Sequence, residues 1–413
     1  MGSYDEAVRS CFETFTTINP TEDEWWQATL STKLGGLGLR SVRDHSAAAY
    51  LASQTACHDL CLELDPLHQL DGEASGSAAA AAIHDYNASV EPSAAVAPGD
   101  LRPQRQQQLS EAIDRHTFDR LTQSPTTSPK RRAHLHLVSA KGAGFWLHAT
   151  PNPNFDTNVE PELFVAMLKR RLRVQLQTAE SFCPYCDGVG DVYGDHCLTC
   201  AGGGDRTKRH NLLRNKAFHF CAAAGLSPEL EKPGLLRPRP SSDGLPSADA
   251  AAGAGTDAID RRPADINVAR WKGGAPACLD FAVTSGLRIS ALADTIGDCS
   301  SPLVQYEDRK AAHLDTAAHC RAEGLAFIPM VAEASGGSWG PQAMTLWTQL
   351  AKLTSNRTGE RVSDTVMQRL QSLSITLHRE NARATLRRSL GEPAPHSARL
   401  DALATLAALG CDS

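Results

Sequence analysis

Residues 262–283, Arg-Pro-Ala-Asp-Ile-Asn-Val-Ala-Arg-Trp-Lys-Gly-Gly-Ala-Pro-Ala-Cys-Leu-Asp-Phe-Ala-Val, constrain the chain more than any other stretch. They read as two short strands around a Gly273-Gly274 turn. If Trp271 opposes Gly274, the same register sets Ile266 against Leu279, Val268 against Ala277 and Asp265 against Asp280. Residues opposite each other in an antiparallel pair point to the same face of the sheet. One face is then Ile266, Val268, Leu279, Phe281 and Val283, a core face. The other carries Asp265, Asn267 and Asp280. Opposed side chains stand roughly 5 Å apart at Cβ, a span that one divalent ion can bridge through oxygen ligands. Two carboxylates held that close repel unless a cation or a proton lies between them. The bland alternative is a solvated polar face of a hairpin.

A length of 413 residues allows two or three domains, each with its own core. The formal net charge is −6, so any nucleic-acid contact must come from local basic patches. The twelve cysteines are not spaced as a small secreted disulfide scaffold. The opening Met-Gly-Ser-Tyr-Asp-Glu lacks a signal-peptide apolar run, and no stretch reaches transmembrane length. The expectation is therefore a nuclear or cytoplasmic protein, not secreted and without a membrane partner.

Cys183-Pro-Tyr-Cys186 and His196-Cys197-Leu-Thr-Cys200 carry the strongest spacing signal. Zinc takes four nitrogen or sulfur ligands in a tetrahedron, and a C-x2-C turn supplies two of them. The second pair is Cys197 with Cys200 or His196 with Cys200, since adjacent residues compete for one vertex. Four protein ligands leave no open position, so such a zinc is structural. The same residues also fit C-x-x-C-x-G-x-G twice, over Cys183–Gly190 and Cys197–Gly204, which resembles the zinc repeat of DnaJ-type chaperones. That family has four repeats and a helical His-Pro-Asp turn; this chain has two repeats and no such turn.

The helix expected after the cysteines opens with Arg206, Lys208 and Arg209, with Arg214 further on, side chains that can meet phosphates. Leu226–Leu236 is expected to run into an edge strand. Pro302–Arg321 reads as one helix in which Tyr306, Lys310, Leu314 and Ala318 share a stripe facing the sheet. Lys310 on that stripe needs a negative partner, either Glu307 on its own helix or the acidic pair of the hairpin. Leu325–Val331 reads as a buried strand. The last helix, Asp364–Leu390, is basic along Arg379, Arg383, Arg387 and Arg388, a face that can lie on a nucleic-acid backbone or simply in solvent.

Taken in order, the zinc cysteines, the Arg-His-Asn helix, Pro263-Ala-Asp265, Asp280 and Glu307-x-x-Lys310 resemble the restriction-like endonuclease domain of site-specific non-LTR retrotransposons, a PD-(D/E)XK nuclease. Gly35-Gly-Leu-Gly-Leu-Arg-Ser is similar to the tail that follows a reverse-transcriptase domain in such elements. The resemblance implies an α/β (α+β) fold, a small mixed sheet flanked by helices, with a zinc knuckle and helical N- and C-terminal regions. It implies a magnesium-dependent endodeoxyribonuclease that nicks DNA, with the element's own RNA as a further partner and no small-molecule cofactor. Asp265 and Asp280 would be the magnesium ligands, and Lys310 the catalytic lysine. Cys183, Cys186, His196 and Cys200 would hold a structural zinc, with Cys197 a bystander. Ala264 interrupts the usual Pro-Asp, residue 282 is Ala where the motif has Lys, and the paired aspartates of a polymerase palm are missing. A DNA-binding remnant that keeps zinc but no longer cuts is the non-enzymatic alternative.

The corresponding organisation is a helical segment at 1–65, a low-complexity linker at 66–100 and a helical region at 101–180. A zinc knuckle at 181–205, a nuclease core at 206–335 with an unstructured insertion at 237–260, and a helical region at 336–413 follow.

Overall fold

In a computed structural model, residues 2–74, 76–99, 105–237 and 263–389 are described. The chain divides into two compact units, Met1–Ser139 with Arg171–Val174, and Ala140–Arg170 with Gln175–Ser413. The insertion expected at 237–260 lies, apart from Arg237, outside the described residues.

The first unit is helical: α1 (Gly2–Thr16), α2 (Glu22–Thr29), α3 (Val42–Leu64), α4 (Ala78–Asn87), α5 (Gln106–Gln123) and α6 (Pro129–Val138). Thr21 caps α2 in a reciprocal capping box with Glu24, as the sequence spacing requires. The stretch 66–100 is not the linker that its composition suggests. Ser77 accepts from Ala80 N and caps α4. Ile83, Tyr86, Val90 and Val96 then bury themselves against Ala48, Leu51, Leu109 and Ile113. Burial of these side chains offsets the entropy of ordering an alanine-rich segment.

In the second unit α7 (Pro161–Leu172), whose last two residues belong to the first unit, leads to a two-stranded ribbon, β1 (Ser181–Phe182) and β2 (Val189–Gly190), and to the short helix α8 (Asp195–Thr199). Next come α9 (Asp205–Ala223), β3 (Pro228–Leu230), β4 (Ile266–Val268), β5 (Ala277–Thr284), α10 (Leu292–Gly297), α11 (Ser301–Ala312), α12 (Thr316–Ala322), β6 (Ala326–Glu333), α13 (Pro341–Thr358) and α14 (Val362–Ser389). The four-stranded sheet runs β3-β4-β5-β6, antiparallel except for the parallel pair β5 and β6. The crossover between those parallel strands is helical, as parallel neighbours require. The fold is thus mixed α/β, with a small mixed sheet flanked by helices.

The hairpin has the register read from the sequence: Ile266 pairs with Leu279 and Val268 with Ala277. One face of the sheet packs Ile266, Val268, Leu279, Phe281 and Met330 against Leu213 of α9, Leu346 and Trp347 of α13, and Leu373 of α14. On the other face Cys278 meets Cys320 and Leu325, while Ala282 and Val331 meet Leu303.

One expected helix is two. Leu314 and Asp315 both adopt left-handed backbone angles, φ 52° and 54°, which break Pro302–Arg321 after Ala312. Non-glycine residues pay for that conformation, and Leu314 is turned outward, 53% exposed, off the stripe it was expected to share with Lys310.

Glu307 is buried and turned away from Lys310, accepting from Gln342 N at the start of α13. Gly340 leaves no space for a side-chain carbon beside that carboxyl. Burial pushes the Glu307 carboxyl up to about 7, against the opposing pull of the Gln342 and Ala343 N–H groups. An acid whose pKa is higher folded than unfolded binds more protons when folded, so its contribution to stability is lost as pH rises through that interval. Glu307→Gln should gain stability relative to the wild type between pH 4.5 and 7, read from urea midpoints across that range. A constant difference would show that the carboxyl titrates alike in both states.

Candidate functional site

Two groups of side chains in the second unit can do chemistry. The first is Cys183, Cys186, His196 and Cys200, whose donor atoms all lie within 4.8 Å of one another. Cys183 Sγ is 3.8 Å from Cys200 Sγ, Cys186 Sγ is 3.5 Å from Cys200 Sγ, and His196 Nε2 is 3.3 Å from Cys186 Sγ. Zinc–sulfur bonds of about 2.3 Å put tetrahedral sulfurs about 3.8 Å apart, so the donor set fits one zinc ion. The ribbon β1–β2 supplies the turn between the first two cysteines, and α8 presents His196 with Cys200 just beyond its end. Asp191 ties that loop together, accepting from Tyr193 N, Asp195 N and His196 N. Gly188 must lack a side chain, because a Cβ there would stand 2.7 Å from His196 Cε1.

The choice between His196 and Cys197 that spacing left open resolves toward His196. Cys197 is buried outside the cluster, and burial pushes its thiol up to about 11. A thiol must lose its proton to bind zinc. Burial also works to raise Cys183, but the Tyr185 N–H, His196, Cys186 and Arg388 together bring it below the usual thiol range. The position of Cys197 counts against two equivalent C-x-x-C repeats.

The zinc-type cluster is fixed to α9 and α14 by buried charge. Asp205, at the head of α9, receives Arg387 at 2.7 Å and Arg388 at 2.5 Å, and both guanidinium groups lie over the Tyr185 ring. Arg379 pairs with Asp156 and Arg383 with Glu380. The basic side of the last helix is therefore engaged in pairs within the protein, where the sequence left open a nucleic-acid contact and, by default, a solvated face.

The second group lines an open cleft bordered by Glu231, Pro263, Ala264, Asp265 and Asp280. Asp265 immediately precedes the Ile266–Leu279 pair of β4 and β5, so it neighbours Asp280 across the hairpin. His210 Nε2 lies 3.1 Å from Asp265 Oδ1, and Phe281 N donates to Asp265 Oδ2 at 2.6 Å. Lys310 Nζ reaches Asp280 Oδ2 at 2.9 Å from α11. Of the two partners foreseen for Lys310, the strand carboxylate is the one it takes.

The two acids are driven apart. Burial works to raise Asp265, but His210, the Phe281 N–H and Lys310 outweigh it and hold that carboxyl below its usual range. Burial raises Asp280, the charge of Asp265 adds to the rise, and Lys310 with His210 only partly oppose it. Adjacent carboxylates with displaced titrations are a recurrent mark of functional clefts.

The four expected phosphate contacts separate. Arg206 is exposed and Lys208 half-buried. Arg209 is 5% exposed, donates to Asn381 Oδ1 and Leu198 O, and is pulled down to about 10 by burial. It joins α9 to α14 and to the cysteine loop, so the expected phosphate contact is corrected to a structural one. Arg214 donates to Glu231 Oε1 at 2.6 Å.

Sequence reasoning gave no role to His210 or Glu231. Each lies far along the chain from its partner, and only the β3–β4 pairing brings Glu231 to the cleft, where its N–H donates to Asp265 O at 2.9 Å.

No protein-family model matches the chain, and no curated protein matches it. Among the described residues, no helix is long and apolar enough to cross a membrane.

The purified chain is expected to carry one zinc, counted by elemental mass spectrometry. Cys200→Ser should empty the site and Cys197→Ala should leave it filled. A folded Cys197→Ala protein without zinc would exchange the roles of His196 and Cys197.

Proposed function

We propose that the second unit is a metal-dependent DNA endonuclease of the restriction-like kind, hydrolysing one phosphodiester bond to leave a nick. The observation that carries this reading is the convergence of three groups: Asp265, just before β4, and Asp280 of β5 line one open cleft, and Lys310 of α11 pairs with Asp280. The small mixed sheet flanked by helices supports it, as does a Cys/His cluster placed immediately before α9.

The donor set suits a hard cation: two carboxylates on adjacent strands, with room for backbone carbonyl and water ligands. Asp265 and Asp280 would hold magnesium, which supplies Lewis-acid polarisation of a phosphate oxygen when bound. His210 and the Phe281 N–H fix the orientation of Asp265, so little rearrangement remains at the moment of reaction. Lys310, 2.9 Å from Asp280, would be freed if that carboxylate held a cation and would then place a positive charge where the phosphate accumulates negative charge. Preorganised charge of this sort is worth most in a partly desolvated site. The zinc knuckle holds the head of α9 in position, and through it His210.

Supercoiled plasmid incubated with the protein and magnesium should become nicked circles. Asp280→Ala and Lys310→Ala should each reduce the rate by about 10²–10³-fold, with zinc content unchanged. Equal nicking by Asp280→Ala would remove this cleft from the reaction. Salt-dependent DNA binding without cleavage in magnesium or manganese would favour the non-enzymatic reading.

A further inference from the structure

Arg209, Arg214, Arg379, Arg383, Arg387 and Arg388 are all engaged within the protein. A duplex bound for cutting then needs cations other than these. The β4–β5 turn carries exposed Arg270 and Lys272 on either side of Trp271. Its shape is fixed: Trp271 N donates to Ala275 O at 2.7 Å, and Gly273 and Gly274 take φ values of 66° and 82° that favour glycine. Trp271 is half-buried and packs on the main core, so the turn is anchored at its centre.

A third cation shares this end of the sheet. Exposed Arg357, near the end of α13, lies against Gly225 in the segment entering β3. Pro228 of β3 pairs with Val268, two residues before Arg270. Glu229 pairs with Lys232, Glu323 with Arg237 and Asp364 with Arg361. No salt bridge is formed by Arg270, Lys272 or Arg357 among the described residues.

We infer that Arg270, Lys272 and Arg357 form a clamp for the phosphate backbone of duplex DNA, one that positions the strand without reading its bases. The inference rests on the nuclease reading and names where the substrate lies in it. Arg270 lies five residues beyond Asp265, a reach of at most about 18 Å. A duplex rises about 3.4 Å per base pair, so DNA with its scissile phosphate at the cleft would meet the turn within about five base pairs. Trp271 packs partly on the core, and Lys272 Nζ lies 5.9 Å from its ring centroid. Two cations on a fixed turn and one on a helix end can meet phosphates, whose recognition carries no sequence information.

The test is equilibrium binding of the full chain to a fluorescent 30-base-pair duplex, without magnesium, from 50 to 200 mM salt. Each lost phosphate contact removes about 0.9 from the slope of log affinity against log salt. Arg270→Ala/Lys272→Ala/Arg357→Ala should flatten the slope by about 2–3 and weaken binding roughly 10–100-fold at 100 mM salt, with circular dichroism and zinc content unchanged. A triple variant with the wild-type slope overturns the clamp while leaving the nuclease reading intact. Tighter binding of single-stranded RNA than of the duplex, weakened by the same variant, also overturns it. A wild-type protein that binds no DNA overturns the nuclease reading itself.

Discussion

Two carboxylates on neighbouring strands cannot share a half-buried face without compensation, and the second unit is built around supplying it. Asp265 is answered by His210 and by the Phe281 N–H, and Asp280 by Lys310. Each answer comes from a different element: α9 ahead of the sheet strands, β5 among them, and α11 between β5 and β6. The repulsion therefore fixes which helices must flank the hairpin and how they are turned. Removing one partner would leave a buried charge unmatched, which is far costlier than the pair is favourable.

The same logic holds α9 in place. Asp205 at its head takes two arginines of α14, and Arg209 one turn later bonds Asn381 of α14 and Leu198 of the cysteine loop. Asn381 in turn donates to Ala334 O just past β6. With α9 pinned at its start, His210 and Arg214 arrive at Asp265 and Glu231 without freedom to choose other partners. The Cys/His cluster thus matters to the cleft as a fixture for one helix end, consistent with a closed four-ligand zinc site.

Much of this was legible in the residues. Alternation in 266–268 and 277–284 fixed the hairpin register, because a slip of one residue would have turned Phe281 and Leu279 out of the core. A lysine on a sheet-facing helix stripe required an acid, and the acid was there. What could not be read was the fate of long cationic side chains. Arg209 and Arg206 sit three residues apart on one helix, yet one is buried and the other exposed, because α14 returns from some 170 residues later to cover only one side. Composition also misled at 66–100, where alanines counted as linker residues are helix formers behind a Ser77 cap. The break at Leu314-Asp315 has no glycine or proline to announce it.

The central claim is that Asp265 and Asp280 together accept a divalent cation, with Lys310 giving up its hold on Asp280. Anomalous scattering from a crystal of the protein grown with manganese measures this directly. The account predicts a manganese peak between the two carboxylates, with oxygen ligands and with Lys310 Nζ withdrawn from Asp280. A saturated crystal with no peak at the cleft, and the lysine still bonded to Asp280, would contradict it.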